Sequence, residues 1–188
     1  MYGHILIVGG TGMLKKTSIA LAGMCKTLTS VARTRESLAV LNEALAGTGL
    51  VHHMLMLDWT TPATFLASLS DHVNRVGEPS LVLAWIHDQE LGPRIASAVC
   101  PSKGRCDYYQ VRGSAAGDPV APIVPNKKPA TLQTGMCFHE IILGFHIDAK
   151  GSRWLHDHEI CAGVTAAIQR GDQRAIVGTV VPWSARPH

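Results

Sequence analysis

Short apolar segments alternate with helix-favouring segments along most of the chain. The first apolar segment, residues 4–8 (HILIV), precedes the turn GGTG, a pattern typical of a parallel strand that is buried on both faces. Further apolar or β-branched segments predict strands at residues 27–32, 51–57, 81–86, 107–111, 138–145 and 175–180. Helices are predicted between them at residues 13–24, 35–46, 62–76, 89–99 and 156–170.

This alternation of strands and helices predicts the fold class. Successive βαβ units build a mostly parallel sheet with helices packed on both of its faces. We therefore expect an α/β protein with a doubly wound, mostly parallel seven-stranded sheet in three layers, Rossmann-like, with the strand order 3-2-1-4-5-6-7. In such a sheet, ligands bind at the carboxyl ends of the strands, here beside the turn that follows the first strand.

One stretch of the chain breaks the alternation. Prolines occupy positions 119, 122, 125 and 129, and a long regular helix cannot accommodate them because proline has no backbone N–H to donate. We expect residues 118–134 to form an irregular loop over the sheet, within a single domain that spans residues 1–188.

Composition indicates a globular protein. Of the 188 residues, 46% are hydrophobic and 16% are charged, which excludes a wholly disordered chain. No apolar run approaches the roughly 20 residues that a membrane-spanning helix needs, and the N-terminal segment lacks the pattern of a signal peptide. We therefore expect a cytoplasmic protein without membrane partners.

The net charge bears on the class of ligand, and the cysteine content bears on the redox state of the thiols. The net charge of +3 comes from scattered lysines and arginines, so it does not indicate a nucleic-acid surface, and a small anionic ligand would account for it equally well. The five cysteines are odd in number and lack C-x-x-C spacing, which predicts reduced, mostly buried thiols. Assembly of the chain into a homo-oligomer is an alternative to a monomer that the composition leaves open.

The turn Gly9-Gly10-Thr11-Gly12 is the first candidate binding site. A phosphate can approach a helix N-terminus only where the backbone comes close to it, and glycines after a first strand allow this approach. The position of a third glycine in the dinucleotide pattern is occupied by Lys15. Because the turn follows the first strand and opens a helix, a dinucleotide site is the favoured interpretation.

Two alternatives for this turn stay open. The first is a defective P-loop that starts at Gly10, with Lys15 in place of its second glycine, then Lys16 and Thr17, and with Asp58 in the role of a magnesium-holding carboxylate. The second is a structural turn that binds no ligand.

The residues after the second strand indicate which dinucleotide would bind. An NAD site needs a carboxylate there to accept hydrogen bonds from the ribose hydroxyls, whereas a 2′-phosphate needs arginine. This position is Arg33, followed by Thr34 and Arg35, and no carboxylate occurs before Glu36. The pattern favours NADP over NAD, although exposed arginines also occur on solvated surfaces that bind nothing.

The segments HILIVGGTGML, SVARTRESL and MLMLDW together resemble the short-chain dehydrogenase/reductase superfamily, in an atypical, shortened form. The resemblance implies that Gly9, Thr11, Gly12 and Met13 line the pyrophosphate of a bound dinucleotide, and we also expect Gly10 of the same turn to belong to the cofactor site. It also implies that Asp58 and Trp59 border the adenine. An alternative for Asp58 is a carboxylate that only stabilises a turn.

The catalytic pair of the superfamily, Tyr-x-x-x-Lys, is absent from the sequence. Ser114 corresponds to the serine that would hydrogen-bond a carbonyl oxygen, and His87, at the predicted end of the fourth strand, is a second catalytic candidate. His146 is a weaker candidate of the same kind. We expect an oxidoreductase that transfers hydride to a small carbonyl, enone or quinone; a non-catalytic NADP(H) sensor or scaffold is the alternative.

The remaining histidines and tryptophans give weaker signals. Neighbouring residues of a strand point to opposite faces, so His52 and His53 are not expected to share a metal. The cluster of His156, His158 and Glu159 is typical of a helix start, where acidic residues are favourable in the first turn. No metal site is predicted. Trp154 and Trp183 are expected to pack against the last helix and strand, with a substrate-pocket wall as the alternative.

Overall fold

The computed structural model describes residues 1–88, 90–100, 104–113, 135–149 and 151–187. The strands are β1 (Tyr2–Val8), β2 (Cys25–Ala32), β3 (Val51–Met56), β4 (Leu81–Trp85), β5 (Cys106–Gly113), β6 (Met136–Leu143), β7 (Phe145–Asp148), β8 (Gly151–Trp154) and β9 (Arg174–Val177). The helices are α1 (Lys15–Ala22), α2 (Arg35–Ala44), α3 (Pro62–Val76), α4 (Leu91–Val99) and α5 (Asp157–Arg170), and a 3-10 turn follows at Trp183–Ala185. Residues 118–134, for which we predict an irregular loop, lie outside the described residues.

Seven of these strands form one parallel sheet in the order β3-β2-β1-β4-β5-β6-β9. Since β9 is the seventh strand of this sheet along the chain, the predicted order 3-2-1-4-5-6-7 is confirmed. All seven carboxyl ends therefore lie along one edge, which we call the carboxyl edge. The doubly wound α/β architecture is confirmed with it.

Two apolar cores lie on the two faces of the sheet. On one face α1, α2 and α5 pack against alternate strand residues, including Ile5, Leu83 and Tyr109. On the other face α3 and α4 pack against residues of the opposite parity, such as Leu6 and Val82. The sheet is thus the middle of three layers, as the apolar periodicity of its strands and helices predicts.

The prediction of one continuous strand over residues 138–145 is wrong. β6 ends at Leu143, and Phe145 starts a separate antiparallel hairpin, β7–β8. Gly144 marks the break, because a Cβ atom at this position would clash with the carbonyl oxygen of Thr179. Phe145 continues this contact by exchanging backbone hydrogen bonds with Thr179 at 2.8 and 2.9 Å.

The ends of several predicted elements also shift. α1 starts at Lys15 rather than at residue 13, because the glycine turn extends through Leu14. β9 ends at Val177, where Gly178 adopts a φ of 79°. Within the described part of the chain, no helix is both long and apolar enough to cross a membrane.

Candidate functional site

The glycine turn lies at the carboxyl end of β1, between β2 and β4. Gly9 has a φ of 77°, and a Cβ atom there would clash with the backbone carbonyl oxygen of Trp85 in β4. Gly10 is constrained by side chains alone, because a Cβ atom would clash with Ile7 and with the hydroxyl of Ser18, which donates a 2.8 Å hydrogen bond to the Gly10 carbonyl. Both glycines are therefore required by packing of the turn against β4 and α1.

Gly12 differs from these two glycines. It is exposed, and a Cβ atom there would meet no atom within 4 Å. Its carbonyl accepts the N–H of Lys15 at 2.9 Å, so the residue leads directly into α1. Packing does not explain this glycine, whereas close approach of a ligand to the backbone would explain it.

The N-terminus of α1 faces the same turn and suits an anion. Its N-cap, Leu14, makes no side-chain capping bond, and no acidic residue lies in the first turn. The first backbone N–H groups of a helix carry a partial positive charge, so phosphate oxygens are favourable ligands there. The glycine turn and this helix end therefore fit a dinucleotide pyrophosphate.

The structure brings Arg33, Asp58 and Trp59 together at the ends of β2 and β3. The guanidinium carbon of Arg33 lies 5.8 Å from the ring centroid of Trp59. A carboxylate oxygen of Asp58 accepts the backbone N–H of Thr60 at 2.9 Å, and this hydrogen bond lowers the pKa of Asp58 most, with a smaller effect from Arg33. Asp58 therefore stabilises a turn, which is the alternative role given for it above. It also lies beside Arg33, the residue predicted to bind a phosphate.

The other two candidates after β2 have different surroundings. Thr34 is the N-cap of α2, and its hydroxyl accepts the backbone N–H of Ser37 at 3.4 Å and donates to the Ser37 hydroxyl at 2.8 Å. Arg35 is exposed in the first turn of the same helix. A helix-capping role thus accounts for Thr34, and its predicted cofactor contact stays a prediction.

His87 follows β4, where the sequence predicts it, and is exposed. Its ring centroid lies 5.7 Å from that of Trp85 and 6.2 Å from that of Trp59. Arg33, Trp59, His87 and Trp85 therefore form a continuous row of side chains across the carboxyl edge. A row of aromatic faces next to a cation can cover planar groups of a ligand.

An apolar cleft of about 180 Å³ opens on the α1–α5 side of the carboxyl edge. It adjoins the glycine turn and is lined by Met13, Trp85, Gly113, Leu143, Gly144, Trp154, Leu155 and Ile160. Trp154 comes from the hairpin that the sequence analysis missed, and the residue is 41% exposed. Of the two interpretations given for Trp154, the pocket wall is the one that this geometry favours.

The structure describes His87 and His146 but not Ser114 among the catalytic candidates. Ser114 lies outside the described residues, although the preceding residue, Gly113, lines the cleft. His146 does not directly follow a strand of the large sheet, contrary to the prediction of a strand over residues 138–145, because that strand ends at Leu143. It is the second residue of β7, opposite Arg153, with its Nε2 atom 3.5 Å from Asp148.

None of the three tyrosines of the chain reaches the carboxyl edge. Tyr108 and Tyr109 are buried in β5, where their hydroxyls donate to the Gln110 side chain and to the Ile168 carbonyl. Burial raises the pKa of Tyr109 to about 12. Tyr2 begins β1, at the opposite edge of the sheet.

The two histidine pairs lie in β3 and at the start of α5, where His156 directly follows the cleft residue Leu155. His52 hydrogen-bonds to Asn42 and Ser30, whereas the ring of His53 lies 5.3 Å from that of His72 on the opposite face of β3. His156 caps α5, and its ring stacks on that of His158. No group of three potential metal ligands occurs among the described residues.

Comparisons with known proteins find solved structures that share this fold. No protein-family model matches the sequence, and no curated protein matches it either. The structure resembles a bulky-bulky ketone-specific alcohol dehydrogenase from Comamonas testosteroni, with a TM-score of 0.69 and 13% identity over 97% of this chain and 88% of that one. It resembles a short-chain dehydrogenase from Sphingobium yanoikuyae in complex with NADPH equally well, with a TM-score of 0.69 and 14% identity over 97% and 91% of the two chains.

A more partial likeness is to an NAD⁺-bound xylitol dehydrogenase, with a TM-score of 0.51 and 14% identity over 61% of this chain and 54% of that one. At these identities the likeness establishes the architecture. The chain has the Rossmann-like fold of the short-chain dehydrogenases and reductases.

Proposed function

We propose that this protein is an atypical member of the short-chain dehydrogenase/reductase superfamily, an NADP(H)-dependent oxidoreductase that acts on a small apolar carbonyl, enone or quinone. The observation that carries the proposal is the arrangement along the carboxyl edge. A phosphate-compatible turn with an open Gly12 lies between Arg33 and Trp59 on one side and the apolar cleft on the other.

Each part of the edge would hold one part of the cofactor. The turn from Gly9 to Met13 and the N-terminus of α1 would bind the pyrophosphate. Arg33 would pair with the 2′-phosphate, for which a planar guanidinium is well suited, and Trp59 would cover the adenine. When bound, the cofactor supplies the hydride.

The acceptor would lie in the apolar cleft. Its walls are mostly aliphatic and aromatic side chains, so burial there favours an uncharged, apolar molecule of small size. Reduction of a carbonyl also needs a proton or a hydrogen-bond donor at the oxygen. Since the three tyrosines lie elsewhere, we assign this role to His87, which contacts the cleft residue Trp85, or to Ser114.

Calorimetric titration with NADPH, NADH and magnesium ATP tests the cofactor assignment. We expect NADPH to bind more tightly than NADH, and Arg33→Asp to weaken NADPH binding by roughly 1 to 3 kcal/mol, the scale of a lost charge-assisted contact. Arg94→Asp, an exposed arginine on α4, is the matched control because it changes the net charge equally. Equal affinities for NADPH and NADH would remove the phosphate role of Arg33.

Tight binding of magnesium ATP would favour the P-loop interpretation instead. The strand order does not supply that interpretation with an adjacent carboxylate, because β2 separates Asp58 at the end of β3 from the glycine turn at the end of β1. Two strand spacings, about 9 to 10 Å, lie between those strands.

The burial of Tyr108 and Tyr109 favours one alternative, a protein that binds NADP(H) and reports its redox state without reducing a substrate. NADPH absorbance, followed against a panel of carbonyls, enones and quinones, separates the two functions. We expect at least one acceptor to be reduced, and the rate to fall in His87→Ala or in Ser114→Ala. Tight NADPH binding without reduction of any acceptor would establish the sensor in place of the enzyme.

A further inference from the structure

Two buried thiols meet at the amino end of β5, at the edge of the sheet opposite to the carboxyl edge. Cys100 is the C-cap of α4, Cys106 is the first residue of β5, and their Sγ atoms are 2.9 Å apart. A disulfide bond is about 2.05 Å long, so less than about 1 Å of movement separates these sulfurs from bonding distance. We propose that Cys100 and Cys106 form a redox-active dithiol, which peroxide oxidises to an intramolecular disulfide and a thiol reductant restores.

The backbone on each side holds the two sulfurs in place. The N–H of Cys100 donates to Ala96 in the last turn of α4 at 2.9 Å, and the N–H of Cys106 donates to Gly135 at 3.1 Å. Gly135 has a φ of 102°, and a Cβ atom there would clash with the carbonyl oxygen of Gly104. The helix end and the strand start are thus fixed independently, and the contact between the sulfurs follows from both.

The surroundings make the two thiols unequal. Cys106 is fully buried, and the hydrogen bond with Cys100 and burial both raise the pKa of its thiol, with smaller contributions from Asp107 and Glu78. Cys100 retains 7% of its surface in contact with solvent. Cys100 is therefore the sulfur that a small oxidant reaches first, and Cys106 is the resolving thiol.

The oxidation balances with hydrogen peroxide as the oxidant. The sulfur of Cys100 attacks one peroxide oxygen, the O–O bond breaks, and a sulfenic acid and one water form. The sulfur of Cys106 then attacks the sulfenic sulfur, an S–S bond forms, the S–O bond breaks, and the leaving hydroxide takes the Cys106 proton as a second water. Two thiols lose two electrons and two protons in total, and one peroxide becomes two waters.

The other three cysteines provide internal controls. Cys25 is buried, with a pKa raised to about 11 by burial, and Cys137 and Cys161 are partly exposed. In the described structure, which includes all five cysteines, no other two sulfurs form a contact of this kind. The absence of any three-ligand group among the described residues favours a redox pair over a metal site here.

The test uses the full-length reduced protein, treated with hydrogen peroxide, quenched, and alkylated after denaturation. Trypsin cleaves after Arg94, Lys103, Arg105 and Arg112, so Cys100 and Cys106 fall on separate peptides, residues 95–103 and 106–112. We expect mass spectrometry to find these two peptides joined, two of the five cysteines protected from alkylation, and complete recovery of both thiols after reduction with dithiothreitol.

Matched variants sharpen the result. Cys100→Ser and Cys106→Ser should each abolish the joined peptide, whereas Cys161→Ser should leave its yield unchanged. The peptide map of the unmodified sequence decides the matter even if a variant fails to fold. Full alkylation of both cysteines after peroxide treatment, a bridge to a different cysteine, or separate sulfinic acids on either residue would overturn the proposal.

Discussion

At the scale of single residues, Gly9 and Gly12 separate folding from binding within one turn. In Gly9→Ala, the left-handed φ and the clash with Trp85 should lower the free energy of unfolding by at least about 1 to 2 kcal/mol. In Gly12→Ala the new methyl group meets no protein atom, so we expect a change within about 0.5 kcal/mol.

The same pair of variants tests the cofactor site. If phosphate oxygens approach the backbone at Gly12, the methyl group of Gly12→Ala should weaken NADPH binding about 10-fold or more although the fold is intact. Urea unfolding and calorimetry measure the two effects. Strong destabilisation by Gly12→Ala, or unchanged affinity for NADPH, would contradict the assignment.

Another prediction concerns a buried chain of hydrogen bonds between β1, β2 and α3. The Nδ1 atom of His4 lies 2.8 Å from the Gly77 carbonyl and must donate to it, so its Nε2 atom accepts the Thr29 hydroxyl at 2.9 Å. The Nε2 atom of His72 lies 2.9 Å from the same hydroxyl oxygen and therefore donates to it. The chain is complete only while His4 is neutral.

Acid should weaken this chain. Burial is the main cause that lowers the pKa of both histidines, that of His72 from 6.5 to about 4, and repulsion from His53 lowers it further. Because the unfolded chain then binds protons more readily than the folded one, the stabilisation is complete above about pH 7 and is lost as pH falls from 6.5 towards 4. Between about pH 7 and about pH 5 we expect a loss on the order of 2 kcal/mol, since each unit below 6.5 contributes about 1.4 kcal/mol.

Urea unfolding at about pH 7 and about pH 5 measures this loss. In His72→Gln the side-chain amide can still donate to Thr29 but does not titrate, so the difference between the two pH values should shrink. His158→Gln, an exposed histidine on α5, is the control. An unchanged pH dependence in His72→Gln would rule out this histidine as its source.

At the scale of elements, the hairpin β7–β8 supplies a wall of the cleft through Trp154. Trp154→Ala should lower kcat/KM for an apolar acceptor about 10-fold, from lost apolar contact area, while the affinity for NADPH stays the same. Trp183→Ala is the matched control, because Trp183 does not line the cleft. Its ring centroid lies 4.8 Å from the guanidinium carbon of Arg186. Equal effects of the two variants on kcat/KM would argue against a substrate wall.

For some elements the sequence was sufficient, and for others it was not. The strand order follows from βαβ alternation, since each short crossover restricts where the next strand can lie. The break at Gly144 did not follow, because residues 138–145 are continuously apolar and the cause is a contact with Thr179, far away along the chain. The contribution of Trp154 to the cleft depends on the same missed hairpin.

The site residues also fall into those that the sequence predicts and those that only the structure reveals. Gly9, Arg33 and His87 could be placed at the carboxyl edge from the sequence, because each follows the apolar pattern of a predicted strand. Contacts made in three dimensions do not appear in such patterns, so the cation–π contact of Arg33 with Trp59 and the pairing of Cys100 with Cys106 emerge only from the structure. The odd cysteine count and the absence of C-x-x-C spacing led us to expect reduced, mostly buried thiols, without a pairing between any two of them.

At the scale of the whole molecule, β5 separates the two chemistries proposed above. It begins at the dithiol with Cys106 and ends in the cleft at Gly113, seven residues along the chain and roughly 23 Å away at about 3.3 Å per residue. We therefore expect peroxide treatment to leave the affinity for NADPH unchanged within about twofold, a difference of about 0.4 kcal/mol. Calorimetry on the oxidised and reduced protein measures it, and a larger change would indicate that the two ends of the sheet are coupled.

The packing of α1 against α5 also has a consequence for the order of folding. These helices span residues 15–22 and 157–170, yet they pack together in one core of the sheet, and Ile160 of α5 lines the cleft. Contacts so distant along the chain form late, because the loop between them must first be closed. During synthesis, the glycine turn would leave the ribosome long before the helix that supports it, and the nascent chain would acquire its cleft only after α5 had emerged.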